Sequence, residues 1–189
     1  MMKSSIYIKN MVCPRCITAV QQTLNEQRIP YTEVKLGEAV LETANFDYLE
    51  LDNKLKEIGF ELIQDKSRQT VEHIKTLIVD FIHHNSNEDL KINFSEYLAN
   101  EMGFNYSYIS TVFSEIENTT IEKFIIRQKI AKVKELISYN ELNFSEIAIR
   151  LNYSSSSHLS KQFKNITGYS LSEYKKAKTE RRRSIDKLL

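Results

Sequence analysis

The first 64 residues consist of short alternating runs and two longer helical runs. SIYIK, YTEVKL, AVLETA and FELI have the composition of half-buried strands, and Gly37 marks a turn between the second and third. Each helical run places three apolar residues on one face: Ile17, Val20 and Leu24, then Leu51, Leu55 and Ile58. Gly59 follows the second run as a left-handed end residue. This order predicts an α+β, ferredoxin-like (βαββαβ) domain over residues 1–66.

An internal repeat dominates the second half of the chain. Residues 94–124 read FSEYLANEMGFNYSYISTVFSEIENTTIEKF, and residues 144–174 read FSEIAIRLNYSSSSHLSKQFKNITGYSLSEY. The two runs align without a gap at an offset of fifty residues. The identical pairs are Phe94/Phe144, Ser95/Ser145, Glu96/Glu146, Ser107/Ser157, Ser110/Ser160, Phe113/Phe163 and Ile116/Ile166. Because unrelated hairpins need not repeat in register, this pattern predicts two copies of one unit.

Each copy has the pattern helix, turn, helix. Apolar residues line one face of every helix: Leu98, Ala99, Met102, Ile109, Phe113 and Ile116 in the first copy, and Ile147, Ala148, Leu151, Leu159, Phe163 and Ile166 in the second. Asn105 and Ser155 are placed to cap the second helix of each copy. Asn118 and Gly168 are placed to end it in the left-handed conformation.

A single long helix joins the two copies. It covers TIEKFIIRQKIAKVKELISY, with Ile126, Ile130, Val133 and Ile137 on its buried face. A helix of roughly 19 residues is about 29 Å long. It can place two recognition helices about 34 Å apart, which is one turn of B-DNA. The sequence therefore predicts an all-α double helix-turn-helix domain that reads two successive major-groove segments of double-stranded DNA.

Residues 71–178 resemble the DNA-binding domain of AraC/XylS-type transcription regulators. The second unit of that family has the signature I-A-x-x-x-G-[FY]-x-S-x-S-x-[FL]-S-x-x-F-K-x-x-x-G-x-[ST]-P, which appears here as IAIRLNYSSSSHLSKQFKNITGYSL. Asn152 replaces the usual Gly of the turn, and Leu171 replaces the usual Pro, whereas Gly103 keeps the glycine of the first unit. Since Asn tolerates a left-handed backbone, we expect the turn to survive. The resemblance implies a sequence-specific, DNA-binding transcription regulator.

The N-terminal ends of the two recognition helices should face base edges, and the resemblance implies the same placement. Ser and Thr accept several bases, so we expect modest direct readout and a large share of phosphate contact and shape readout. His158 is either a phosphate contact or, like Tyr108, a brace for its own helix. The predicted DNA-binding residues are Tyr106, Ser107, Ser110, Thr111, Ser156, Ser157, Ser160, Lys161 and Lys164.

Positive charge is concentrated towards the C-terminal end. Residues 158–189 hold nine Lys/Arg against three Asp/Glu, although the net charge of the chain is only +1. This excess favours a polyanionic partner. Residues 179–189 form a basic C-terminal tail with Arg181, Arg182 and Arg183, which is either a flexible arm on DNA or a solvated end.

The remaining composition narrows the class of protein. No apolar run reaches the roughly 18 residues of a membrane span, and the N-terminus lacks the apolar segment of a secretory signal. We therefore expect a cytoplasmic protein without a membrane partner. The sequence contains no evident nucleophile–base set or phosphate loop, so we do not expect an enzyme.

Cys13 and Cys16 are the two cysteines of the chain, and they follow the first strand in NMVCPRC. Order, length and motif of residues 1–66 resemble a heavy-metal-associated domain, which carries G-M-x-C-x-x-C at this point. The resemblance implies metal binding by Cys13 and Cys16, a core position for Met11 and a place near the metal loop for Phe60. Asn10 replaces the family Gly, and the pair is separated by Pro and Arg.

Three interpretations of the pair stay open. Two thiolates suit a soft ion such as Cu(I), whereas Zn(II) needs about four ligands. The helix N-terminus after Cys13 should lower the thiol pKa, which favours the thiolate. CPRC also resembles the C-P-x-C of glutaredoxin-like redox sites. In the third interpretation the pair has no ligand and no redox role.

These patterns predict an AraC-type regulator with an N-terminal sensor domain. We expect a hinge at residues 64–70, QDKSRQT, and a first helix of the DNA-binding domain over residues 71–84. Ligand binding at Cys13 and Cys16 would change the contacts of the sensor domain with that helix. The alternatives are a copper-chaperone-like trafficking protein and a metal-free thiol-redox sensor, and a homodimer is left open.

Overall fold

The computed structural model describes residues 4–84 and 93–186, and for residues 179–186 it describes the backbone alone. The chain divides into two compact units. The first comprises Met1–Phe81 and Ser95–Thr120, and the second comprises Ile82–Phe94 and Ile121–Leu189. The first helix-turn-helix copy therefore falls in the same unit as the N-terminal domain.

The first unit begins with the predicted element order. Its elements are β1 (Ser4–Lys9), α1 (Pro14–Glu26), β2 (Tyr31–Lys35), β3 (Glu38–Leu41), α2 (Tyr48–Glu57), β4 (Glu61–Ile63) and α3 (Lys66–His83). The four strands form one sheet in the order β2-β3-β1-β4, and all three pairings are antiparallel. In β1, one of the two central strands, Ile6 lies opposite Ala39 of β3 and Ile8 lies opposite Leu62 of β4.

Alternation along β1 buries Ile6 and Ile8 against the helices, as expected for a sheet with one covered face. Helices α1 and α2 contribute the predicted Val20, Leu24, Leu51 and Leu55 to this core. Ile58 is different, because it lies at the C-terminal cap of α2 and is 47% exposed. The helix ends there before Ile58 can reach the core, so its predicted place on the buried face was wrong.

Helix α3 starts earlier than the sequence pattern predicts. It begins at Lys66, and the Asp65 carboxylate accepts a hydrogen bond of 2.8 Å from the backbone N–H of Arg68. The Gln69 side chain donates to the Ile63 carbonyl at 2.6 Å. Residues 66–70 are therefore helical, and the predicted hinge at residues 64–70 was wrong for most of its length. A polar first turn with a side-chain cap forms a helix without any apolar periodicity.

The helix-turn-helix copies have the predicted helices and caps. The first consists of α4 (Phe94–Met102) and α5 (Tyr106–Glu117), and the second of α7 (Phe144–Arg150) and α8 (Ser156–Thr167). The Asn105 and Ser155 side chains accept from the N–H groups three residues on, which confirms both caps. Asn118 and Gly168 have φ values of 50° and 79°, which confirms the left-handed ends.

The repeat contains a one-residue shift that the gapless alignment misses. Gly103 (φ 67°) and Asn152 (φ 54°) both follow the first helix in the left-handed conformation, and they are 49 residues apart. The caps Asn105 and Ser155 are fifty apart, so the turn of the second copy is one residue longer. The offset of fifty therefore holds for the starts of the first helices, Phe94 and Phe144, and was wrong at their C-terminal ends. Asn152 does adopt the left-handed backbone expected at the turn.

The second unit is built around α6 (Ile121–Tyr139), which has the predicted length of 19 residues. Its buried Ile130, Val133 and Ile137 pack with the apolar faces of α7 and α8. Ile166 was predicted to share the buried face of α8 but is 51% exposed. It lies in the last turn, beyond the positions of α8 that reach the core.

The last helix, α9 (Leu171–Asp186), forms without the usual Pro. Leu171 is buried, and Ser170 and Glu173 cap each other: the Glu173 carboxylate accepts from the Ser170 N–H at 2.7 Å, and the Ser170 hydroxyl accepts from the Glu173 N–H at 3.2 Å. The backbone of the predicted basic tail is helical as far as Asp186. The side chains of Arg181, Arg182 and Arg183 lie outside the described residues.

Over residues 4–84 and 93–186, the helices are too short or too polar to pass through a lipid bilayer.

Candidate nucleic-acid interface and cysteine loop

The first recognition helix, α5, presents a polar face that is free of charge at its N-terminal end. Ile109 and Phe113 anchor the opposite face in the core. Ser107 and Thr111 are exposed, and Tyr106 and Ser110 are half-buried. The Thr111 hydroxyl donates to the Ser107 carbonyl at 2.9 Å, so its oxygen keeps acceptor capacity for an outside donor. All four predicted contact residues therefore lie on the helix face that is not packed in the core.

Tyr108 contacts a neighbouring ring on the same copy. Its ring lies 5.1 Å from that of Phe104, and the two side chains are 44% and 48% exposed. This contact supports the expectation that Tyr108 braces its own helix.

The second recognition helix, α8, carries exposed hydroxyls and amines. Ser156, Ser157 and Ser160 are exposed in its first half, and Lys161 and Lys164 extend the same polar surface. Leu159 and Phe163 are fully buried behind them. The predicted residues of this copy are thus gathered on one accessible helix.

His158 is held by the turn that precedes α8. Its Nδ1 lies 3.0 Å from the Ser154 hydroxyl, and its ring meets the Tyr153 ring edge-on at 5.4 Å. The Tyr153 hydroxyl donates to the Gln162 side chain at 2.7 Å, and burial raises the pKa of Tyr153 to about 12. Tyr153 therefore stays neutral and links the turn to the middle of α8. These contacts support the bracing role for His158.

The two copies share a scaffold but differ in charge. Residues 94–118 contain four Glu and no Lys or Arg, a net charge of −4. Residues 144–168 contain three Lys/Arg and one Glu, a net charge of +2. The second copy therefore carries the cations that neutralisation of a phosphate requires, whereas residues 94–118 carry none.

The cysteine loop is held by Asn10. This residue has a φ of 73°, in the left-handed region, and its side chain donates to the Gly59 carbonyl at 3.0 Å. Its backbone N–H donates to Glu72 Oε1 on α3 at 3.3 Å. Met11 is buried at 2% exposure in the core of the sheet domain, as expected. Phe60 is also buried and directly follows the glycine that receives the Asn10 bond.

Cys13 and Cys16 lie together at the start of α1. Cys13 is the N-cap residue and is followed by the Pro at the first helical position, where a missing N–H costs nothing. The two Sγ atoms are 3.4 Å apart, and both side chains are half-buried. The Cys16 N–H, the Cys16 thiol and the Arg15 N–H hold the pKa of the Cys13 thiol below its usual range.

The donor set around the pair is small. Within residues 4–84 and 93–186, no cluster of three or more His, Cys, Asp or Glu side chains is placed to hold a metal ion. The pair supplies two thiol ligands, the number that a two-coordinate soft ion needs, whereas a tetrahedral zinc site needs about four ligands.

A chain of charged contacts on α3 was missed at the level of sequence. Lys75 Nζ lies 3.0 Å from Glu72 Oε2 and 3.4 Å from Glu117 Oε1, at the last residue of α5. The spacing of Glu72 and Lys75 on one helix is a usable signal for the first contact. No sequence pattern indicates the second, which joins residues 42 positions apart.

Comparisons with known proteins agree with the helical architecture. Residues 98–177 match the helix-turn-helix domain family. The Msm operon regulatory protein of Streptococcus mutans is 23% identical over 122 residues, which is 65% of this chain and 42% of that protein. This chain thus spans about two fifths of the length of that relative.

Two solved structures of transcription factors align with part of this chain. A transcriptional regulator with an AraC-type DNA-binding domain from Chromobacterium violaceum has a TM-score of 0.50 and 14% identity, over 59% of this chain and 94% of that one. The DNA-binding domain of AdpA, a global transcriptional factor solved with a target DNA, has a TM-score of 0.49 and 18% identity, over 60% and 96%. Residues 98–177 thus match a helix-turn-helix domain, and the first of these structures has the same fold.

Proposed function

We propose that the protein is a sequence-specific transcription regulator of the AraC type. The observation that carries this proposal is the pair of helix-turn-helix copies with matching caps, matching left-handed ends and exposed polar faces on both recognition helices. The family match over residues 98–177 supports it. The partner is double-stranded DNA, read in two major-groove segments.

The base-reading surface consists of the predicted residues of both recognition helices. In each copy a small hydroxyl cluster follows the cap, and such side chains accept more than one base. We assign base contacts to Tyr106, Ser107, Ser110, Thr111, Ser156, Ser157 and Ser160, and phosphate contacts to Lys161 and Lys164.

The two copies contribute unequally to affinity. The second copy carries Lys161 and Lys164 beside its hydroxyls, so it supplies the salt-dependent part of binding. The first copy has only neutral contact residues and four Glu, so it adds shape and hydrogen bonding at a cost in long-range repulsion. This division predicts that the second copy supplies most of the salt-dependent affinity.

Selection of bound duplexes from a random pool tests this function. We expect a bipartite site with segments about one helical turn apart. Binding to the selected duplex should weaken steeply with salt. Failure to retain any duplex above a scrambled competitor, at low salt, would exclude the proposed regulator.

We further propose that residues 1–66 form a ferredoxin-like, heavy-metal-associated type of sensor domain. The sheet order supports this, because β1 and β2 are parallel strands separated by β3, and β3 and β4 are parallel strands separated by β1. The left-handed Asn10 and the buried Met11 occupy the positions of the family motif. The ligand is a soft ion such as Cu(I), held by Cys13 and Cys16, and its binding displaces the thiol protons.

A redox role is the second candidate, and the Sγ separation of 3.4 Å favours it. The Cys13 thiolate would attack a low-molecular-weight disulfide, forming a mixed disulfide and releasing one thiol. Cys16 would then attack the Cys13 sulfur of the mixed disulfide, forming the protein disulfide and releasing the second thiol. Anaerobic Cu(I) competition with a chelator and a redox titration with glutathione, each on the full chain, separate the two. A Cys13→Ser/Cys16→Ser variant that keeps the same Cu(I) affinity excludes the metal assignment.

A further inference from the structure

The base of the cysteine loop is joined to helix α3 through one carboxylate. Asn10 precedes Cys13 by three residues, and its backbone N–H donates to Glu72 Oε1 at 3.3 Å. The Asn10 side chain is fixed at the same time to Gly59. Any change that moves the loop at Asn10 therefore acts directly on the Glu72 side chain.

Glu72 and Lys75 connect the base of the cysteine loop to α5. The second oxygen of Glu72 accepts from Lys75 Nζ at 3.0 Å, and the same ammonium lies 3.4 Å from Glu117 Oε1. The three side chains are only 12%, 21% and 30% exposed. Since partly buried charges are poorly screened, these contacts are stronger than ordinary surface ion pairs.

Lys75 stabilises the negative charge of Glu117. It is the last residue of α5, directly before the left-handed Asn118. A carboxylate at a helix C-terminus is repelled by the negative end of the helix dipole. The Lys75 ammonium offsets this repulsion, so the state of Lys75 affects the end of the first recognition helix.

The surroundings leave room for movement. Glu72 and Glu117 both line a cavity of about 740 Å³, together with residues of β4 and α3. Both carboxylates therefore border open space as well as the Lys75 ammonium. Glu72 and Glu117 share one ammonium, so a movement of either carboxylate changes the contact of the other.

We propose that Glu72 and Lys75 form a relay through which occupation of the cysteine loop changes the C-terminal end of the first recognition helix. Ligand binding that draws Asn10 away releases Glu72, which then competes more strongly for Lys75 and weakens the Lys75–Glu117 contact. This inference rests on the proposed function of the cysteine loop as a sensor. Glu72 and Lys75 are positioning residues and contact neither ligand nor DNA.

The test compares wild type, Lys75→Met and the control Lys54→Met in the full chain. Lys54 forms an exposed ion pair with Glu57 on α2, so its variant removes a charge from the sheet domain without touching the relay. The probe is Cu(I) from an anaerobic chelator buffer. We measure amide hydrogen exchange over residues 113–118 and the affinity for the selected duplex, each with and without Cu(I).

The relay predicts faster exchange at the end of α5, and an affinity change of about fivefold or more, when Cu(I) binds to wild type and Lys54→Met. Lys75→Met should bind Cu(I) but show neither response. An unchanged exchange response in Lys75→Met overturns the relay, as does a wild type that binds Cu(I) without any response. A wild type that binds no Cu(I) refutes the metal sensor and not the relay; glutathione disulfide then replaces Cu(I) as the probe, with the same expected outcomes. A wild type that shows the exchange response but binds no duplex refutes the regulator and not the relay.

Discussion

The side-chain amide of Asn10 donates a hydrogen bond of 3.0 Å to the Gly59 carbonyl, across the end of the sheet. This bond joins the loop before the cysteines to the turn that ends α2. A glycine at position 10 could adopt the same backbone but could not form it. The loop is therefore fixed by a side chain that the G-M-x-C-x-x-C pattern does not contain.

Asn10→Ala should lower the free energy of unfolding by about 2 kcal/mol, since it loses the amide bond and keeps a left-handed φ. Asn10→Gly should cost about 1 kcal/mol or less, because it loses the bond and relieves the strain. Urea unfolding of the full chain, followed by circular dichroism, measures both. Equal losses in the two variants would show that the left-handed backbone contributes nothing.

Gly37 is the second position where the backbone sets the residue. It has a φ of 80°, and a Cβ there would lie 2.8 Å from the Thr76 hydroxyl oxygen on α3. Gly59 has a φ of 88° with nothing within 4 Å, so it is a matched control for strain alone. We expect Gly37→Ala to destabilise by about 1 kcal/mol more than Gly59→Ala.

The Thr76→Ala background identifies the cause of that difference. In a double-mutant cycle, Gly37→Ala should cost no more than Gly59→Ala once the Thr76 hydroxyl is absent. If Gly37→Ala stays more destabilising than Gly59→Ala in the Thr76→Ala background, the steric clash lies elsewhere in the turn.

Salt dependence of DNA binding should report on the second copy. Lys161→Ala and Lys164→Ala should each reduce the slope of log K against log salt by about 0.9, because each removes one neutralised phosphate. The control is Lys54→Ala on α2, which should leave the slope unchanged. Fluorescence anisotropy with the selected duplex from about 50 to 200 mM salt provides the measurement. If both variants keep the wild-type slope, the phosphate assignment is wrong.

His73 on α3 makes stability depend on pH. Burial lowers its pKa below the ordinary value, and Glu38 and Glu101 oppose this only in part. The unfolded chain therefore takes up the proton first, so the contribution is present above about pH 6.5 and is lost as pH falls through the lower folded pKa. Wild type should lose more stability than His73→Gln between pH 7.5 and 5.5 in urea titrations. Equal losses of stability in both proteins would show that His73 does not cause the pH dependence.

Local features of this fold could be predicted from the sequence because their causes are local. Asn105 and Ser155 cap helices through bonds to residues three positions away, and the left-handed Asn118 and Gly168 depend on their own backbones. The exposed Ile58 and Ile166 were misplaced, since periodicity cannot show where a helix leaves the core.

Long-range contacts account for what the sequence could not show. Asn10 and Glu72 are 62 residues apart, and Lys75 and Glu117 are 42 apart, so no periodic pattern links them. The start of α3 was missed for another reason. Its first turn is polar and depends on the Asp65 cap, so no apolar periodicity marks it.

Four of the described non-glycine residues with positive φ are asparagines: Asn10, Asn118, Asn140 and Asn152. The whole chain contains only four glycines. An asparagine has fewer accessible backbone states than a glycine in the unfolded chain, so each such turn loses less conformational entropy on folding. These asparagines therefore place a small local strain on the turns of the folded protein, and they also restrict the conformations of the unfolded chain.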